Sequence, residues 1–149
     1  LIQAGRWMQR KDMIDTGLRA LEWLVEIQTA TEGHFVPIGT EGWYKRGGQK
    51  ARFDQQPVEA HAMIDACIDA HRTTRDGKWL AEARRCFDWF LGRNDLQTSL
   101  YDHATGGCRD GLYPAGANEN QGAESTLAWL MSLLALYECQ YAPSSLFEK

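Results

Sequence analysis

The sequence predicts an all-α fold, a partial α/α toroid built from repeated helical hairpins, and three observations support this prediction. The chain repeats itself with a period of about 65 residues, amphipathic helices alternate with helices that are apolar nearly all round, and long glycine-rich loops connect them. The chain has 149 residues, of which 44% are hydrophobic and 24% are charged, enough for one domain with a hydrophobic core. We therefore treat residues 1–149 as a single domain.

The repeat becomes visible when the chain is aligned with itself at a shift of 66 residues. Residues 13–24, MIDTGLRALEWL, then lie over residues 79–90, WLAEARRCFDWF, and residues 1–6 lie over residues 67–72. A fixed period of this length is the sequence signature of a repeat architecture. Because residues 1–6 match the end of a helix, we expect the chain to be the C-terminal part of a longer polypeptide.

A second alignment, at a shift of 65 residues, concerns a polar pair that precedes an apolar helix in both repeats. It places Gln56 over Gln121 and Glu59 over Glu124. The two copies fall where a helix is expected to begin. Each repeat unit therefore contains two helices and two connections.

The two helices of each unit differ in polarity. Residues 13–28 and 78–91 carry apolar residues on one face and charged residues on the other, which is typical of a helix at the surface. Residues 58–70 and 125–137 are apolar nearly all round, which indicates helices that are buried on most sides. Concentric rings of outer and inner helices produce this alternation, whereas a four-helix bundle would make all its helices amphipathic.

Charge and hydropathy exclude two classes of partner. The formal net charge is -4 and the basic residues are scattered, so the chain lacks the electrostatic footprint of a protein that binds nucleic acid or an anionic membrane. The longest apolar run, residues 127–137, is too short to span a bilayer.

Cysteine and histidine spacing gives no sign of a metal site or cofactor. The four cysteines are widely separated and form no CxxC pair, so we expect free thiols in a reducing cytoplasm. His34, His71 and His103 share no spacing that would suggest a metal ligand set. We expect neither a metal nor a cofactor.

Two long loops, residues 29–56 and 93–121, lead from an outer helix to an inner helix, and both are rich in glycine and aromatic residues. Loops of this length in a compact domain are commonly functional. In a toroid both would end at the same mouth of the ring. Aromatic faces beside carboxylates, amides and arginines suit a sugar, which offers C–H surface for stacking and hydroxyl groups for hydrogen bonds. The candidate ligand-binding residues are Trp43, Tyr44, Arg52, Asp54, Gln56, Arg109, Asp110, Tyr113, Asn118, Glu119 and Gln121.

Carboxylates near the two inner-helix starts are candidates for acid–base catalysis. Packed helices lie about 8–10 Å apart, and inverting glycosidases hold their two carboxylates about 6.5–9.5 Å apart. The spacing therefore permits a pair made by Glu59 and Glu124, or by Asp54 and Glu119. The alternative is structural, because a carboxylate in the first turn of a helix interacts favourably with the helix dipole and caps free N–H groups.

Three further residues have both a chemical and a structural interpretation. His61 lies near the start of an apolar helix, where it is either a proton shuttle or a packed core histidine. Asp110 is a fourth catalytic candidate, after Glu59, Glu124 and His61. Arg109 and Asp110 either contact a substrate or form an ion pair that holds their loop.

Four segments resemble a known family. RFDQQPVEAHAMIDAC, WFLGRNDLQTSLYD, TGGCRDGLYP and NENQGAESTLAWL resemble the C-terminal helical region of bacterial group 1 glycosyltransferase-like proteins, in which an α/α toroid follows the transferase domain. The resemblance covers essentially the whole chain. More remotely, the repeat is similar to the six-hairpin glycosidases and the N-acylglucosamine 2-epimerases.

The resemblance implies a cytoplasmic protein of polysaccharide or glycoside metabolism whose transfer site lies in an upstream domain of the same polypeptide. No motif in it carries over a catalytic residue. Three functions stay open: a carbohydrate-handling toroid segment, a glycoside hydrolase or sugar epimerase with its site at the toroid mouth, and a scaffold without a ligand. Because an incomplete ring leaves apolar helix surface uncovered, we also expect a tendency to form a homodimer.

Overall fold

The computed structural model describes residues 1–141, which form five α-helices and one short β-hairpin. The helices are α1 (Ile2–Trp7), α2 (Lys11–Ile27), α3 (Pro57–Thr74), α4 (Gly77–Asp88) and α5 (Ala123–Tyr141), and the strands are β1 (Leu112–Tyr113) and β2 (Gly116–Ala117). The prediction of a mainly α-helical fold is confirmed. The β-hairpin was not predicted, because two-residue strands inside a glycine-rich loop leave no periodic pattern.

Consecutive helices pack as antiparallel pairs, α1 with α2 and α3 with α4. Helix α5 follows them in the chain. Glycines allow α1 and α2 to approach each other closely. A Cβ atom on Gly17 would lie 2.6 Å from Cγ1 of Ile2, and one on Gly5 would lie 2.9 Å from Cγ1 of Ile14. The absence of a Cβ atom at these two glycines thus sets the spacing of this helix pair.

Local chemistry explains where α3 and α4 begin and end. Pro57 occupies the first turn of α3, where its fixed φ suits a helix and its missing N–H costs nothing. The helix ends at Arg75, whose φ of 60° is left-handed and stops further helical hydrogen bonding. The next residue, Asp76, caps α4 by accepting a hydrogen bond from the Lys78 backbone N–H at 2.9 Å.

Helix α3 is the central element of the described structure and packs against the other four helices. Its apolar side chains, among them Ile64, Cys67 and Ile68, are almost completely removed from solvent. The prediction that residues 58–70 form a helix buried on most sides is therefore confirmed.

The same prediction is wrong for residues 125–137. One face of α5 packs on α3 and α4, and it buries Trp129 and Ser132. The other face exposes large apolar side chains: Leu127, Leu130, Met131, Leu133, Leu134, Tyr137 and Tyr141. The physical reason is the absence of a covering element, since no helix in residues 1–141 lies against that face.

Aromatic side chains join α4, α5 and the second long loop into one core. The Trp129 ring stacks on Phe87 with a centroid distance of 4.8 Å and on Tyr101 at 4.5 Å. Trp89 is fully buried, whereas Trp23, its repeat equivalent, is 44% exposed. The two equivalent tryptophans thus differ in burial.

The four cysteines are free, as predicted, and three of them are buried, Cys67, Cys86 and Cys108. Burial raises the pKa of the Cys67 and Cys108 thiols to about 12. Since the thiolate is the reactive form, neither is a nucleophile at neutral pH. Within residues 1–141, no helix is both long enough and apolar enough to cross a membrane.

Candidate functional site

The two long loops meet where α3 begins. The Gln55 N–H donates to the Leu112 carbonyl at 3.0 Å, and the Leu112 N–H donates back to the Gln55 carbonyl at 2.8 Å. Leu112 is also paired with Ala117 across the β1–β2 hairpin. Residues of both loops therefore form one continuous surface at this point.

A buried hydrogen-bond network holds this junction. The fully buried side chain of Gln55 accepts a hydrogen bond from Trp89 Nε1 at 2.8 Å. Its amide nitrogen donates to the Arg52 carbonyl at 2.9 Å and to Asp95 Oδ2 at 3.0 Å. Every hydrogen-bonding atom of the Gln55 side chain is thus engaged, which makes the residue a structural connection between α4 and both loops.

Asp95 is the acceptor at the other end of this network. It also accepts hydrogen bonds from Arg52 Nε and His34 Nε2, both at 2.9 Å. Burial raises the pKa of Asp95, but the hydrogen bonds from Arg52, His34 and Gln55 outweigh that effect and hold it below its usual value. The predicted ligand-binding residue Arg52 is therefore committed to a structural carboxylate.

A pair of carboxyl groups lies at the start of α3. Glu59 is half-buried, and within residues 1–141 its Oε2 atom has no hydrogen-bond partner; the same holds for Oδ1 of Asp54. Burial, and then the negative charge of Asp54, raise the pKa of Glu59 to about 7. Asp54 reaches this position beside Gly111, where a Cβ atom would lie 2.9 Å from its Oδ1. Glu59 therefore carries a proton for much of the time at neutral pH.

The two pairs considered from the sequence have different surroundings. Glu124 is exposed in the first turn of α5. Glu119 forms an ion pair with Arg109, with 3.2 Å between Nη1 and Oε2. Among these four carboxyl groups, Asp54 acts on Glu59, because its negative charge helps to raise the pKa of Glu59.

A polar cluster in the second loop precedes α5. Arg109 lies 3.8 Å from Asp102 as well as 3.2 Å from Glu119. Gln121 donates to Asp102 at 2.9 Å and accepts from Thr105 Oγ1 at 2.6 Å. Arg109 thus forms its ion pairs with Asp102 and Glu119 rather than with Asp110, the partner considered from the sequence.

Asp110 has a different role, as its Oδ1 accepts a hydrogen bond from the Gly122 N–H at 2.7 Å just before α5 begins. This contact gives Asp110 a structural role at the start of a helix, a role that the sequence did not suggest.

The β1–β2 hairpin displays an aromatic ring at the same surface. Tyr113 is 36% exposed, and its hydroxyl group accepts a hydrogen bond from Asn118 Nδ2 at 3.3 Å. An exposed ring edged by an amide is a suitable contact for a sugar face.

Two other predicted aromatic residues lie elsewhere. The Tyr44 ring packs beside Trp23 of α2, 6.1 Å between centroids, and Trp43 is 60% exposed in the first loop. Gln56 is the half-buried residue that precedes α3, and its side chain makes no capping hydrogen bond.

His61 is a packed histidine between α3 and α5. Its Nδ1 atom lies 3.2 Å from Ser132 Oγ, and its Nε2 atom lies 3.5 Å from Asp65. The Ser132 hydroxyl donates its proton to the Ala128 carbonyl at 2.6 Å, so it accepts the hydrogen bond from His61. Because Ser132 is fully buried, this arrangement supports the core interpretation of His61 over the proton shuttle.

Three residues with central positions were missed by the sequence analysis: Gln55, Asp95 and Asp102. They lie in loops and share no periodicity, and their partners are separated from them by up to 61 positions in the chain. The repeat alignment matches Gln56 with Gln121 and therefore points to Gln56. The residue that joins the loops is its neighbour Gln55, which has no match in the repeat. Within residues 1–141, no group of three or more His, Cys, Asp or Glu side chains is arranged to hold a metal ion.

Comparison with known proteins adds no assignment. A scan against protein-family models and a search of curated proteins both found no match for this chain.

Proposed function

We propose that this chain is a carbohydrate-handling segment of an α/α toroid, part of a cytoplasmic glycosyltransferase-like protein whose transfer chemistry lies in an upstream domain. The observation that carries the proposal is the joined surface of the two long loops, which the Gln55–Leu112 pairing brings together. This surface offers an exposed tyrosine ring, amides, carboxylates and a guanidinium group within a short stretch of chain. Such a mixture provides both stacking area and paired hydrogen-bonding groups for a sugar.

Ligand-induced stabilisation tests this proposal. Thermal unfolding of the 149-residue chain is followed in the presence of methyl glycosides and of oligosaccharide fragments from bacterial polysaccharides. A ligand present at a hundred times its dissociation constant stabilises the folded state by about 2.7 kcal/mol. We expect such a shift with at least one glycan, and we expect it to disappear in the Tyr113→Ala variant. Unchanged unfolding with all glycans would instead support a scaffold that takes no ligand.

A second candidate function, glycoside hydrolysis or sugar epimerisation, is favoured by the carboxyl pair of Asp54 and Glu59. A general acid is most effective when its pKa lies near the working pH, and the pKa of Glu59 is about 7. If this segment is catalytic, Glu59→Gln and Asp54→Asn each abolish turnover of aryl glycosides. Glu124→Gln, which changes an exposed carboxylate in the equivalent repeat position, leaves turnover intact. Turnover that survives both changes at the carboxyl pair rules out this candidate.

A further inference from the structure

Two adjoining cavities lie where the first loop meets α4 and the start of the second loop. The cavity beside α4 has a volume of about 310 Å³ and the cavity between the loops about 580 Å³. They share two lining residues, His34 and Arg93, so we treat them as two parts of one cleft and call it the α4 cleft. Volumes in this range are typical of sites that bind small molecules.

A buried carboxylate fixes the side chains of the first loop in this cleft. Asp95 is 5% exposed, and its two oxygens accept hydrogen bonds from His34 Nε2 and Arg52 Nε, each at 2.9 Å. His34 and Arg52 are therefore held side by side. The contact uses only Nε of Arg52, and within residues 1–141 its two terminal nitrogens make no hydrogen bond. Because this side chain is 66% exposed, those nitrogens are accessible to a ligand.

The part of the cleft beside α4 has one uncompensated positive charge. Arg85 is paired with Glu82 at 2.6 Å, and Arg93 is paired with Asp88 at 3.0 Å. Arg84 is exposed, and in the part of the chain that the structure describes its guanidinium group forms no hydrogen bond or ion pair. It lies one helical turn before Asp88, so Arg84 and Arg93 flank the same carboxylate. After the two ion pairs are counted, the charge of Arg84 remains.

The part between the loops is polar and offers both donors and acceptors. The charge of Asp95 is matched by Arg52, and Gln97 adds an exposed amide. Glu32 is exposed at this end, where its carboxylate accepts hydrogen bonds and repels a negative charge. Since hydroxyl groups both donate and accept, they fit this part of the cleft better than a second anion does.

We propose that the α4 cleft binds a sugar that carries one carboxylate group, such as a hexuronic acid. The carboxylate contacts Arg84, and the sugar hydroxyl groups occupy the part between the loops. A planar guanidinium group binds a carboxylate through two parallel hydrogen bonds. A phosphate dianion would bring two negative charges to a cleft that has one uncompensated cation at one end and Glu32 at the other. The charge count therefore favours a sugar acid over a sugar phosphate.

This inference goes beyond the proposed function and does not depend on it, because the cleft is a second site with its own ligand class. The residues that line it do not include Tyr113, Asn118 or Arg109 of the joined loop surface. Binding at the two sites can therefore be measured separately.

An NMR titration of the ¹⁵N-labelled 149-residue chain with methyl glucuronide tests the proposal. We expect saturable shifts of the backbone amides of His34, Gly92 and Arg93, without comparable shifts around Tyr113. Methyl glucoside has a hydroxymethyl group in place of the carboxylate and should bind about tenfold more weakly, because it leaves Arg84 without a partner. The absence of saturable shifts in the cleft would overturn the proposal. Shifts confined to the region around Tyr113 would also overturn it, while supporting the proposed function of the loop surface.

Two matched variants and one competing probe complete the test. Arg84→Gln removes the uncompensated charge, and we expect about a tenfold loss of methyl glucuronide affinity with little change for methyl glucoside. Arg46→Gln makes the same change in net charge at an exposed arginine that lines neither part of the cleft, and it should leave both affinities unchanged. Equal losses in the two variants would mean that only the overall charge attracts the ligand, which contradicts the proposal. Tighter binding of a glucose phosphate monoester than of methyl glucuronide would contradict the charge count.

Discussion

At the residue scale, the carboxyl group of Glu59 is the group with the most unusual surroundings. It is half-buried at the start of a helix, one of its oxygens has no partner in residues 1–141, and the negative charge of Asp54 is nearby. The favourable effect of the helix N-terminus on a carboxylate is therefore outweighed by desolvation and like charge. The consequence is a proton that is retained up to about pH 7 in the folded state.

This protonation predicts how stability depends on pH. The pKa of Glu59 is higher in the folded chain than in the unfolded chain, so the folded state binds more protons between the two values. The free energy of unfolding therefore falls as pH rises from about 4.5 to about 7. We expect Glu59 to contribute a loss on the order of 1–2 kcal/mol, discounted because the side chain is only partly buried.

Urea unfolding at pH 5, 6, 7 and 8 checks this prediction. The wild-type chain should lose stability relative to the Glu59→Gln variant, whose amide does not titrate. Glu124→Gln removes an exposed carboxylate at the equivalent repeat position and is the matched control. Parallel pH profiles for the wild-type chain and Glu59→Gln would show that the proton is not held as described.

The position of Glu59 in the first turn of a helix could be predicted from the sequence, but its partner could not. Pro57 and the apolar run after it indicate a helix start by local rules. The partner is Asp54, which is placed by the close approach of Gly111 from a loop more than 50 residues away. A repeat alignment finds equivalent positions, and it does not show which loops touch.

At the scale of the elements, the residue Gln55 holds the start of α3 against the end of α4 and the second loop. Gln55 links Trp89 at the end of α4 to Asp95 in the second loop, and its backbone pairs with Leu112. The helices could be predicted to within about four residues because periodicity is a local signal. The junction could not, because it depends on contacts between loops that have no periodicity.

Replacement of Gln55 should therefore be far more costly than replacement of its neighbour. Gln55→Met leaves the Trp89 N–H without its acceptor and removes one donor from Asp95. We expect a loss of about 2–4 kcal/mol in the free energy of unfolding. Gln56→Met is the matched control, because the Gln56 side chain makes no capping hydrogen bond, and it should cost less than about 0.5 kcal/mol.

Urea unfolding monitored by tryptophan fluorescence measures both variants, since buried tryptophans such as Trp89 become exposed when the chain unfolds. Equal stabilities of the two variants would mean that the Gln55 network contributes little. A large loss in Gln56→Met alone would restore the importance that the repeat alignment gave to that residue.

At the scale of the whole molecule, the exposed face of α5 is the main departure from the predicted burial. Helix α5 has an apolar residue at positions 127, 130, 134, 137 and 141, a spacing of three and four residues that is typical of a helix packed along another helix. Burial depends on what lies against a helix, which the composition of the helix alone does not state. The sequence therefore predicted the apolar character of α5 correctly and its surroundings wrongly.

This face predicts that the 149-residue chain forms a homodimer through antiparallel α5 helices. A two-fold axis near Leu134 would place Leu127 opposite Tyr141 and Leu130 opposite Tyr137. A parallel pair would instead bring the two copies of Glu138 close together, and like charges in register are unfavourable. An isologous contact of this kind closes on itself.

Light scattering after size-exclusion chromatography tests the dimer. We expect twice the chain mass for the wild-type protein and the single-chain mass for Leu134→Lys. The control is Leu91→Lys, which changes a leucine that is 47% exposed outside α5. A wild-type protein that is monomeric at high micromolar concentration, or a Leu134→Lys variant that still dimerises, would contradict this account.

The central claim is that the joined surface of the two long loops binds carbohydrate, and an NMR titration tests it most directly. The ¹⁵N-labelled chain is titrated with the glycan that gives the largest thermal shift, or with the pooled glycosides and oligosaccharide fragments if none does. We expect saturable shifts of the backbone amides around Tyr113, Asn118 and Arg109, with those on the exposed face of α5 unmoved. Loop amides that stay in place throughout the titration would contradict it.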